Sequence, residues 1–165
     1  MRNPAPWLVA GGLAQAAAGI AAALIPALGF DSRSPAWWTV LLALVHVPQA
    51  VGFVLLALRV GGFGYWTTAV AVTAFVPAEL VAFMSLDATG TVFAILTPVA
   101  GIGLVVAGIS DLRRRVGLGR HVTLVAGLYV FVVLIPCLVA LGPVAAVLAI
   151  GGWGVCFALI GGAQA

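Results

Sequence analysis

Six consecutive apolar runs are separated only by short polar breaks, and this punctuation constrains the fold more than any other feature. The runs cover Trp7–Phe30, Ala36–Leu58, Phe63–Leu86, Gly90–Ser110, Val122–Leu141 and Pro143–Ala163. Each reaches the roughly 20 residues that a helix needs to cross a bilayer core. The breaks carry nearly all the charge: Asp31 to Pro35, Arg59 to Gly62, Asp87 to Gly90, Asp111 to His121, and Gly142-Pro143. Because the runs are continuous rather than alternating, they read as helices and not as strands of a membrane barrel. The expected fold is therefore all-α, a single domain over residues 1–165 built as a polytopic bundle of six transmembrane helices.

Composition closes off the other classes. Only 7% of the 165 residues are charged and 64% are hydrophobic, against roughly 25% charged in an average soluble domain. A water-facing surface cannot be built from so little charge. A soluble enzyme, a disordered tail and a nucleic-acid partner are excluded on the same ground, and the net charge of +3 reads as a topology signal. With an inside N-terminus, Arg2, Arg59, Arg113, Arg114, Arg115 and Arg120 all fall on the cytoplasmic side, and only Arg33 falls outside. The positive-inside rule then places both termini in the cytoplasm of a multi-pass plasma-membrane protein. The first apolar run is too long for the h-region of a signal peptide, which spans about 7–15 residues, so it reads as an uncleaved helix.

Packing has its own signals. Ala10, Ala14, Ala18 and Ala22 repeat every four residues on the first span, and a stripe of small residues lets helix backbones approach closely in lipid. It marks a contact face, whether within the chain or toward a homo-oligomer or membrane partner. Gly151, Gly152, Gly154, Gly161 and Gly162 offer a second such surface on the last span. Pro26, Pro48, Pro77, Pro98 and Pro136 lie inside five of the six spans, where each removes a backbone donor and kinks the helix. Trp7, Trp37, Trp38 and Trp66 stand near span ends, as interfacial anchors do. Trp153 is mid-span, a core or lipid-facing aromatic or one wall of a ligand site. Cys137 and Cys156 differ in depth by roughly 13 Å at 1.5 Å per residue, too far for a disulfide.

The residues that carry chemistry are those that cost energy to place in lipid. Glu79 sits in the third span and His46 in the second, with Gln49 close by and Gln15 in the first. An ionisable residue within a span is a candidate functional site. The second and third spans form a hairpin around residues 61 and 62, which brings His46 and Glu79 within about one helical turn in depth, while their rotation is left open. An acid and an imidazole at one depth can share a proton. The alternative is a polar pair that fixes helix register, with Gln15 and Gln49 as interhelical hydrogen-bonders or substrate contacts. No spacing of His, Cys or acidic residues suits a metal, and no cofactor motif occurs.

The segment Pro77-Ala-Glu79, flanked by Phe75 and Phe83 in a third span, resembles the Pro-x-Glu-Glu/Asp element of membrane-bound lycopene cyclases; Leu80 stands where that family has its second acid. The resemblance implies proton-initiated cyclisation or isomerisation of an isoprenoid alkene by Glu79. Three functions follow from the sequence. The first is an intramembrane enzyme or binder for a lipophilic, isoprenoid-like molecule. The second is a transporter, either proton-coupled or similar to the substrate-binding subunit of energy-coupling-factor importers. The third is a non-catalytic assembly subunit.

Overall fold

A computed structural model describes residues 3–28, 34–82, 84–114 and 120–165. Arg2, Phe30, Asp31, Arg33, Phe83 and Arg115 lie outside them. The described residues are helical, with no strand among them. The elements are α1 (Ala5–Leu24), α2 (Ala36–Val60), α3 (Phe63–Val81), α4 (Leu86–Arg114), α5 (Arg120–Tyr129), α6 (Ile135–Ala140) and α7 (Pro143–Gly162). A π-helical turn, Val130–Leu134, joins α5 to α6 into one rod.

Local chemistry sets the helix ends, and several differ from the apolar-run boundaries. Ile25 precedes Pro26 and is extended, because the proline ring disfavours helical geometry in the residue before it. Pro26 therefore ends α1 instead of kinking it, and Pro26–Leu28 form a single 3-10 turn. Gly61 and Gly62 adopt φ of 73° and 90°, a region that residues with a Cβ avoid, and so close the α2–α3 hairpin tightly. On the far side α3 stops at Val81, five residues short of the Leu86 expected. The next helix starts early because Ser85 caps it: the Ala88 N–H donates to Ser85 Oγ at 3.2 Å. Asp87 to Gly90, expected as a connection, are thus the first turn of α4, which also runs on through Asp111 to Arg114. In the fifth rod Pro136 has no N–H for the carbonyl of Val132, and the backbone widens just there, with Ile135 N–H bonding back to Val130 O.

Five segments are long and apolar enough to cross a membrane: α1, α2, most of α4, the α5–α6 rod and α7. The exception among the six expected spans is α3. Its early stop and its Thr67, Thr68, Thr73, Pro77 and Glu79 dilute its hydropathy, although it packs between α2 and α4 like the other members of the bundle.

Neighbouring helices follow chain order, α1 beside α2 and so on round to α7, and α7 returns to pack along α1. The result is a closed ring of rods, its centre filled by side chains of Phe53, Phe75, Trp153 and Phe157. The closing contact is the tightest. A Cβ on Gly12 would strike the backbone of Gly154 and Ala158, one on Gly19 would lie 2.6 Å from Val147 O, and one on Gly161 would lie 2.9 Å from Ala5 O. Residues 5, 12 and 19 thus run antiparallel to 161, 154 and 147, so both chain ends lie at one end of the bundle.

The alanine stripe is not the core of this contact. Ala10 is exposed, Ala14 and Ala22 are half-buried, and Ala18 packs with Leu28 and Trp38. A four-residue repeat advances about 40° around the helix per step and drifts off any one face. A seven-residue repeat drifts by only about 20°, which is why Ala5, Gly12 and Gly19 stay on one line. Trp38, expected at the interface, is buried in that satellite cluster, whereas Trp7, Trp37 and Trp66 are exposed.

Candidate functional site

Glu79 and His46, whose relative rotation the sequence left open, face each other. His46 Nδ1 lies 3.6 Å from Glu79 Oε1, and both side chains are buried. The same Nδ1 is 2.9 Å from the Leu42 carbonyl. A carbonyl only accepts, so Nδ1 carries the hydrogen and donates it to Leu42 O, which leaves Nε2 as the basic nitrogen of the neutral ring. Glu79 is therefore in ion-pair range of the imidazole without taking its hydrogen bond.

An aromatic wall backs this pair. Phe75, one helical turn before Glu79 on the same face of α3, stacks on Phe93 of α4 with centroids 5.2 Å apart and planes 14° from parallel. The His46 ring stands 5.3 Å from Phe75 and 6.4 Å from Phe93. Trp153 meets Phe75 edge-on at 6.2 Å and donates its indole N–H to Ala126 O at 3.2 Å. It is thus a core aromatic that ties α7 to α5 and touches the wall from behind. The sequence singled out Trp153 and named Phe75 only as a flank of Pro77-Ala-Glu79; its i, i+4 spacing from Glu79 was the signal for a shared face, and Phe93 carried none.

The two glutamines lie on the other side of α2. Gln49 Nε2 donates to Gly11 O at 3.0 Å and to Gln15 Oε1 at 2.6 Å. Gln15 Nε2 in turn donates to Ile150 O at 2.8 Å. The chain of bonds ties α2, α1 and α7 together at the ring-closing contact. Gln49 Oε1 is buried and has no partner among the described residues. Gln49→Leu is expected to leave Gln15 Oε1 without a donor, at about 1–3 kcal/mol for a buried group orphaned, while Gly11 O keeps its helical N–H partner within α1. Thermal unfolding in detergent should register that loss, and an unchanged transition would show that the network contributes nothing net.

A second polar contact went unread because Asp111 was placed in a connection. On the extended α4 it accepts a hydrogen bond from Tyr65 O–H, beside a hollow of about 20 Å³ also lined by Gly61, Gly62 and Ser110. A larger open groove of about 340 Å³ lies outside the ring, along Val54, Trp66, Val70, Thr73 and Pro77. Neither hollow is lined by His46 or Glu79. Cys137 and Cys156 are free thiols. Among the described residues no group of three or more His, Cys, Asp or Glu is placed to hold a metal.

Comparison with protein families, curated proteins and solved structures found no match.

Proposed function

We propose that this chain is a six-pass protein of the cell membrane, termini in the cytoplasm, that acts on a lipophilic, isoprenoid-like molecule through proton exchange at Glu79 and His46. Membrane placement is supported by the five apolar segments of spanning length, and the orientation by the arginine distribution. The antiparallel meeting of α1 and α7 agrees with an even number of passes. The pairing of Glu79 with His46 at 3.6 Å against the stacked Phe75 and Phe93 carries the chemical reading.

In this reading the protonated carboxyl of Glu79 gives its proton to an alkene carbon, and the cationic centre is held against aromatic faces. Nε2 of His46 removes a proton from the neighbouring carbon, so the substrate gains one proton and loses one, and its double bond moves. The few polar groups suit such a substrate, since an apolar molecule needs little beyond a donor, an acceptor and a dry site. The test is deuterium incorporation from heavy water into geranylgeraniol by membranes holding the wild-type chain or Glu79→Gln.

The filled centre of the ring favours a second reading, an assembly subunit in which Glu79 and His46 fix the register of α2 against α3. There, Glu79→Gln is silent and Glu79→Leu destabilises.

A further inference from the structure

We propose that Glu79 exchanges its proton with one face of the membrane only, the face opposite the chain termini. The inference rests on the membrane reading above and adds to it the route by which the acid is recharged. It grows out of the early stop of α3.

Glu79 stands just two residues before the end of α3 at Val81, about 3 Å along the axis at 1.5 Å per residue. The connection follows at once: Met84 is 88% exposed, and the polar Ser85 and Asp87 are exposed as well. Toward the termini the situation is reversed. About 24 Å of helix separates Glu79 from Phe63, and the ring is filled over that length by Phe53, Leu56, Val72, Leu104, Phe157 and Ile160, none more than 1% exposed. Among the described residues the buried polar side chains nearest that length, Thr68 and Gln49, are bonded to Gly64 O and to Gly11 O and Gln15 Oε1, and the apolar side chains packed around them leave no continuous file of water to carry a proton.

The other titratable groups agree with this sidedness. From α2, Glu79 is faced by His46. At that end α4 turns the half-buried Phe93 and the buried Thr97 inward, and its acid Asp87 stands exposed in the first turn, on the same face of the bundle as the end of α3. Tyr65 and Asp111 pair at the opposite end, with the filled aromatic layer between them and Glu79. A proton taken up by Glu79 comes from water at the short end of α3 and, when the pair is recharged, returns by the same route. With the termini in the cytoplasm that compartment is extracytoplasmic. A proton-coupled transporter, by contrast, must open the acid to both sides in turn.

Glu79→Cys in a Cys137→Ala, Cys156→Ala background, reconstituted in vesicles of known orientation, tests this directly. A membrane-impermeant methanethiosulfonate reagent is expected to label Cys at this position from the face opposite the termini and not from the terminal face. Labelling from the terminal face, or from neither, overturns the inference. A second measurement covers the case in which this variant does not fold. In wild-type vesicles, the carboxyl infrared band that Glu79→Gln removes should follow the pH of the face opposite the termini. A band that follows the other side, or both, is equally fatal. Loss of sidedness leaves the proton chemistry of Glu79 standing, whereas a silent Glu79→Gln removes that chemistry and leaves the labelling pattern as it is.

Discussion

Gly12→Leu is expected to destabilise the bundle by about 3 kcal/mol or more, the upper end of what overpacking a fitted interior costs. The reason is what stands opposite. Even a single Cβ at this position meets the backbone of Gly154 and Ala158, and backbone cannot rotate aside as a flexible side chain can. The α1–α7 seam would have to part, and with it the bond from Gln15 to Ile150 O. Ala10→Leu, two residues away and exposed, should change stability by less than about 0.5 kcal/mol, as surface replacements usually do. Thermal unfolding of both variants in the same detergent decides the matter. Equal transitions would mean that α1 and α7 do not close the ring.

The second large effect is on chemistry. Glu79→Gln keeps the size and shape of the side chain and removes its acidic proton. A positioned general acid contributes on the order of 10²–10⁴-fold in rate, so heavy-water exchange into the isoprenoid probe should fall by that factor while unfolding temperature and membrane insertion stay near wild type. In the proposed reaction His46→Ala should show a smaller loss, since the acid that starts the reaction is still in place. Full activity in Glu79→Gln would leave the pair as a register device. In that event Glu79→Leu, which buries an apolar group beside the imidazole, should lower stability.

Much of this was legible in the residues. The apolar runs place every helix, and depth counting across the Gly61-Gly62 hairpin puts His46 level with Glu79. Where boundaries moved, specific local chemistry moved them: the Ser85 cap draws α4 forward, and the ring of Pro26, which holds Ile25 extended, cuts α1 short. Asp111 was misplaced because one acid among arginines looks like a connection, although nothing there breaks a helix.

Helix number, alternation and the level of each polar residue are thus properties of the sequence by itself, because each depends only on position along the chain. Rotation is different. A soluble helix announces its inner face by polarity, but here the outward residues are as apolar as the inward ones: Leu13 and Ile20 are exposed while Leu8 is fully buried. Size sorts the faces instead. Glycine falls where two backbones touch, phenylalanine fills the centre of the ring, and neither role is visible until the opposite helix is in place. The tertiary structure alone decided that Gly12 meets Gly154, that Phe75 stacks on Phe93, and that Glu79 looks at His46, because close packing is a relation between two surfaces and one strand of sequence describes only one of them.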